Sequence, residues 1–107
     1  MKRKRSFLSA ALKRTYDRNP RPVLFINKNF RPFYFNEKMF VIAEELCSQT
    51  TIFNYLTDEG IKLFRNYNGR EPIALPGKNG NVFIAEGVFE MGRTVCYKIT
   101  FGGFDGF

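Results

Sequence analysis

From Thr94 to Phe101, the residues Val95, Tyr97, Ile99 and Phe101 alternate with Thr94, Cys96, Lys98 and Thr100. A period of two places the apolar set on one side of an extended strand and the other set on its reverse. Such a strand cannot stand alone, because its backbone groups need neighbours and its apolar side needs a cover. The C-terminal third of the chain therefore requires a sheet with a layer packed over one face.

Two extended runs lead into that strand. Residues 71–75 form a short one between Pro72 and Pro76, and residues 82–91 form a longer one with Gly87 as a candidate bulge. The Gly77-Lys78-Asn79-Gly80 segment supplies an Asn-Gly turn between them, and Gly92-Arg93 turns the chain again. Three strands in antiparallel succession are predicted here.

The first half carries a hairpin followed by helices. Val23-Leu24-Phe25-Ile26 is a continuous apolar run, which reads as a central strand. Asn27-Lys28-Asn29 forms a tight turn, and residues 30–35 return with Phe33 and Phe35 on one face and Tyr34 on the other. Pro32 assigns this second strand to an edge. Asn36 is placed to cap a helix with Glu37 in its first turn; Phe40, Val41, Ala43, Glu44 and Cys47 carry it to about residue 47. A second helix starts at Thr57-Asp58-Glu59, buries Ile61, Leu63, Phe64 and Tyr67, and stops at Asn68-Gly69.

Charge is segregated along the chain. Residues 1–21 hold Lys2, Arg3, Lys4, Arg5, Lys13, Arg14, Arg18 and Arg21 against Asp17, which is the whole formal charge of +7. The remaining residues balance nine basic against nine acidic side chains. Nucleic-acid binding through a basic stripe on the body is thereby disfavoured, whereas residues 1–21 could still use it. The leader also carries an apolar stripe of Phe7, Leu8, Ala11, Leu12 and Tyr16 across a helix over residues 6–19, ended by Asn19-Pro20-Arg21-Pro22. That stripe can pack on its own domain, on a second copy of the chain, or on an anionic surface.

The chain has no histidine, and its two cysteines, Cys47 and Cys96, are far apart in sequence. Histidine-ligated haem, Ser-His-Asp and Cys-His catalysis and most zinc arrangements are excluded by that composition. The cysteines read as buried and reduced, as in a cytoplasmic protein. No run of eighteen apolar residues exists, and the basic start followed by residues 6–12 makes a poor secretory signal. Glu44, Glu45, Asp58, Glu59, Glu86 and Glu90 have the spacing of solvated surfaces, so the chain is expected to have no enzymatic activity.

The segment RPVLFINKNFRPFYFNEKMFVIAEEL resembles the opening of PAS domains, with Asn36 at the residue that starts the helix. TIFNYLTDEGIKLF is similar to the family's connector and next helix, and REPIALPGKNGNVFIAEGVFEMGRTVCYKITF to its last three strands. The resemblance covers residues 22–101, between a basic leader at 1–21 and a Gly/Phe tail at 102–107. It implies an α+β fold: a five-stranded antiparallel sheet with short helices on one face, preceded by an amphipathic N-terminal helix. It also implies a sensory or regulatory module of signal transduction or transcription regulation. Such a module forms a homodimer through Phe7, Leu8, Ala11, Leu12 and Tyr16, and acts on a downstream output domain or partner protein. Two branches of the family do not fit. The haem branch needs an axial histidine, and the flavin branch needs a cysteine segment that Leu46-Cys47-Ser48-Gln49 does not match.

In that fold a small organic ligand would lie between the sheet and the helices of residues 37–67. The expected lining is Phe25, Phe35, Phe40, Asn54, Ile61, Phe64, Ile84, Val95, Tyr97 and Ile99, which suits an apolar or aromatic molecule. The same space could instead be filled by the thirteen phenylalanines. An RNA-recognition domain competes through Leu24-Phe25-Ile26-Asn27, but that fold needs a helix straight after its first strand. The remaining alternative is a small RNA- or DNA-binding protein that works through its basic leader.

Overall fold

The computed structural model describes residues 10–44 and 51–102, with residues 10–13 and 42 described through their backbone. Helix α1 (Ala10–Asp17) precedes the hairpin of β1 (Val23–Ile26) and β2 (Pro32–Phe35). Helix α2 (Glu37–Ile42), a 3-10 turn at Ile52–Tyr55 and α3 (Asp58–Arg65) follow. The chain then runs through β3 (Ile73–Pro76), β4 (Val82–Glu90) and β5 (Arg93–Gly102). One antiparallel sheet joins all five strands in the order β2-β1-β5-β4-β3. The expected α+β architecture is therefore present, and β5 extends one residue into the segment assigned to the tail.

β1 lies between β2 and β5, and Val23, Leu24, Phe25 and Ile26 are all buried. A strand covered on both faces reads as a continuous apolar run, which is what those four residues are. Leu24 and Ile26 face the helices, where Met39 of α2, Ile52 and Leu56 around the 3-10 turn, and Phe64 of α3 meet Leu75, Phe83, Ala85, Tyr97 and Ile99 of the sheet. Val23 and Phe25 face the other way and pack with Cys96, Tyr16, Tyr34, Val88 and Val95. The sheet thus has a large core under the helices and a smaller one beneath the end of α1.

Two bulges redistribute side chains that strict alternation had paired. Val88 opposes Cys96 while Phe89 opposes Thr94, so Val95 is the extra residue in β5. Phe25 opposes Tyr34 while Ile26 opposes Pro32, so Phe33 is extra in β2. Gly87 is in regular register with Tyr97 and is not the bulge. Its glycine is needed for another reason: a Cβ there would come 2.5 Å from the Gly69 carbonyl oxygen.

Turns follow the sequence chemistry closely. Asn79 and Gly80 take φ of 62° and 78°, and Met91 and Gly92 take 53° and 82°, the left-handed pairs that tight connections demand. Thr57 caps α3 by accepting from the Gly60 amide at 3.1 Å. Helix α2 ends at Ile42, with Ala43 closing it through a bond to the Met39 carbonyl. Its expected continuation to Cys47 lies partly outside the described residues.

Candidate functional site

The space that a ligand was expected to occupy is lined by rings that touch one another. Tyr97 of β5 stacks parallel to Phe30, with centroids 6.0 Å apart and planes at 6°. Phe64 meets Tyr97 at 5.1 Å and Phe30 at 5.0 Å, both edge to face, and Phe53 lies 4.7 Å from Phe30. Tyr67 closes the set at 6.0 Å from Tyr97. These separations are those of directly packed aromatic pairs. Here the rings pack directly on one another between β5 and the helices.

The expected lining residues fall into three groups. Ile99, Phe64 and Tyr97 are buried in the helix-side core, with Phe35 and Ile61 packed against it. Phe40 borders the core, stacking on Phe35 at 5.8 Å while remaining 42% exposed, and Asn54 is exposed in the 3-10 turn. Phe25, Val95 and Ile84 belong to the opposite face, and their assignment to the lining is corrected. Phe25 alternates with Leu24 and Ile26, and Val95 is carried across by its bulge. Ile84 sits between the core residues Phe83 and Ala85 and so points away from them. Leu63, expected to be buried, is 41% exposed.

Periodicity missed Phe30. The sequence pattern places it first in β2, yet it lies in the turn with φ of 66°, a conformation uncommon for a bulky residue. The Asn27 side chain builds that turn, its Oδ1 accepting from the amides of Asn29 and Arg31. The Phe30 amide donates to the Asn27 carbonyl, and the Phe30 carbonyl accepts from Ile52. The bend swings the ring inward onto Tyr97. The Asn27-Lys28-Asn29 signal located the turn but gave no indication of a core ring at its exit.

A second feature lies on the surface, between the end of α3 and the start of β3. Leu63, Asn66, Tyr67, Asn68, Arg70, Glu71, Pro72 and Ile73 line an open cleft of about 500 Å³. The Tyr67 hydroxyl donates to the Glu71 carbonyl oxygen, with the Ala85 carbonyl 3.2 Å away. Burial holds that hydroxyl above its ordinary pKa, so it remains a donor. The Asn66 amide nitrogen donates to Lys62, and Asn68 accepts from the Arg70 amide. The cleft offers an apolar wall, the amide groups of Asn66 and Asn68, and the charged side chains of Arg70 and Glu71. Among the described residues, no group of three or more His, Cys, Asp or Glu could hold a metal ion.

The third feature is the fastening of α1 to the sheet. Tyr16 meets Phe25 edge to face at 5.2 Å, and Lys98 reaches over the Tyr16 ring at 5.9 Å. The Tyr34 hydroxyl donates to the Asp17 carboxylate. Burial, reinforced by that carboxylate, holds the phenol well above its ordinary pKa and keeps the proton in place. Asn36 is 1% exposed, and its side chain makes four hydrogen bonds. Its Oδ1 accepts from Met39 and Val23, and its Nδ2 donates to the carbonyls of Tyr16 and Arg21. Of the expected dimer set, Tyr16 is turned onto its own sheet. Phe7 and Leu8 lie outside the described residues, as do the side chains of Ala11 and Leu12.

Compared with known proteins, the chain matches no family model, no curated protein and no solved structure. Among the described residues, no helix is long and apolar enough to cross a membrane.

Proposed function

We propose that the chain is a non-catalytic, PAS-like regulatory module that works as a homodimer in signal transduction or transcription regulation. The observation that carries this reading is the union of hairpin, helices and meander around one sheet, with α1 fastened to the opposite face through Asn36. That residue caps α2, anchors β1 and grips α1 at once, so a shift in the helical layer has a direct route to the leader. Sedimentation equilibrium of the full chain, from micromolar to hundred-micromolar concentration, tests the assembly. A dimer is expected, and a monomer throughout would remove it.

The packed rings favour a particular form of this reading. A chain whose interior is filled responds through packing, and a small molecule acting on it would seat in the α3–β3 cleft beside Tyr67. Native mass spectrometry of the purified full chain should then show the bare polypeptide mass. A retained apolar molecule that is displaced by Ile99→Phe would return the ligand to the interior.

A further inference from the structure

We infer that the outer side of α1 binds the phosphodiester backbone of nucleic acid without reading base sequence. The inference does not depend on the PAS-like reading. It begins with the one part of the chain that has a net charge: eight basic side chains and one carboxylate within the first 21 residues. The structure separates these two signs. Asp17 accepts from the Tyr34 hydroxyl and is thereby directed towards β2. Arg14, Arg18 and Arg21 are all exposed and make no ion pair among the described residues.

Their positions are fixed by the same contacts that hold the helix. Arg14 and Arg18 are one turn apart, about 6 Å along the axis, which is close to two phosphate steps of roughly 3.4 Å along one strand. Arg21 follows in a turn held by its amide bond to Asn19 Oδ1 at 2.9 Å and by Asn36 gripping its carbonyl at 2.8 Å. With the backbone already held, binding has to order only the arginine side chains themselves. The sequence places Lys2, Arg3, Lys4 and Arg5 ahead of it.

Two observations favour nucleic acid over an anionic membrane. Surface helices enter a bilayer by their apolar side, whereas Tyr16 is spent on Phe25. The three arginines are also bidentate donors suited to phosphate. Contacts from Arg14, Arg18 and Arg21 to phosphates would set affinity and register without specifying a base.

The test is fluorescence anisotropy of the full chain with a labelled random-sequence DNA duplex, titrated with KCl. The expected plot of log affinity against log salt is linear and steep, at roughly −0.9 per phosphate contact. Replacing Arg14, Arg18 and Arg21 together by Ala should flatten the slope by about 2.7 and weaken low-salt binding by about tenfold or more. The exposed body substitution Lys62→Ala should leave both unchanged. Circular dichroism establishes that each variant is folded, and Arg14→Glu with Arg18→Glu gives an independent second variant, expected to abolish binding. No binding at low salt, an unchanged slope in the triple variant, or an equal loss in Lys62→Ala would overturn the inference. So would uptake onto phosphatidylglycerol vesicles by a chain that ignores DNA. A monomer that binds DNA would defeat the dimer proposal alone, and a dimer that does not bind would defeat this one alone.

Discussion

Asn36 donates through Nδ2 to the carbonyl oxygen of Tyr16 at 3.0 Å, so the buried cap of α2 is also a clasp on α1. A caps-only asparagine would leave its amide nitrogen in solvent. Here that nitrogen serves the leader, and the oxygen serves both Met39 and Val23. Asn36→Ala strands two amides and two carbonyls and is expected to cost about 2–4 kcal/mol, combining a lost cap with buried unpaired groups. Asn36→Asp keeps the acceptor and removes the donors. It should raise hydrogen exchange of the amides at 14–18 more than those of β1 and β5. Uniform loosening of helix and sheet would show that the clasp is not selective.

The approach of two backbones at Gly87 is a separate constraint. A Cβ there would lie 2.8 Å from the Gly69 Cα and 2.5 Å from its carbonyl oxygen, both backbone atoms of the α3–β3 loop. Gly69 has φ of +81° and cannot easily move aside. Gly87→Ala is expected to destabilise by roughly 1–3 kcal/mol in urea unfolding, as overpacked sites do. Gly92→Ala, where a Cβ meets nothing within 4 Å, tests the backbone strain of φ +82° alone. Gly87 has no positive φ, so an unchanged stability in Gly87→Ala would mean that the contact there contributes nothing.

How much of this was readable beforehand depends on which physical signal each part uses. Elements defined by local chemistry were legible: the buried run of β1, the Asn36 cap, the Asn79-Gly80 turn and the alternation of Tyr97, Ile99 and Phe101. Side-chain facing was legible only until a bulge intervened. Val95 and Phe33 are each one residue past a register shift, and nothing in their neighbours announces it. The face of Phe25 depends on which side the helices choose, and a strand buried on both sides does not encode that. The cleft beside Tyr67 is formed by the Asn68–Glu71 loop meeting the end of α3, a tertiary coincidence without a periodic signature.

Ile99 and Val95 differ in a way that strict alternation would not allow. Ile99 is fully buried in the helix-side core, whereas Val95 packs part-buried against the smaller cluster. Ile99→Ala should cost about 2–5 kcal/mol, and Val95→Ala about 1 kcal/mol or less than half the Ile99 loss. Chemical denaturation of both variants gives the comparison. Similar losses would return Val95 to the helix side and remove the bulge from β5.

Phe30 provides the sharpest test of a filled interior. Its ring contacts Phe53, Phe64 and Tyr97 from a turn that holds φ positive. Phe30→Ala should cost about 2–4 kcal/mol, reduced from a fully buried ring because Phe30 is half-buried. The void it leaves would be apolar and bordered by aromatic faces, a space that takes up small apolar molecules more readily than water. Benzene or indole should then raise the melting temperature of Phe30→Ala and leave that of the parent chain unchanged. Stabilisation of the parent to the same degree would reveal an interior that was open before the substitution.

Cys96 gives a dependence on pH whose sign follows from its surroundings. The side chain is fully buried in the cluster beneath α1, and desolvation, with Glu90 adding, pushes the thiol from its ordinary 9.0 up to about 11. Below pH 9 the thiol is protonated in both folded and unfolded chains, and its contribution to stability is fully present. Between 9 and 11 the unfolded chain releases a proton that the folded chain retains, so stability falls as pH rises and the contribution is lost through the folded value. Tyr34 and Tyr67, also raised by burial, add losses of the same sign at higher pH. The difference between the parent and Cys96→Ala isolates the thiol: it should be constant below 9 and shrink across that window. Iodoacetamide applied just below pH 9 and read by peptide mass should spare Cys96 in the folded chain and label it in urea. Rapid labelling of Cys96 in the folded chain would mean that α1 and Tyr16 do not cover it, removing both the raised thiol and the clasp that depends on the same packing.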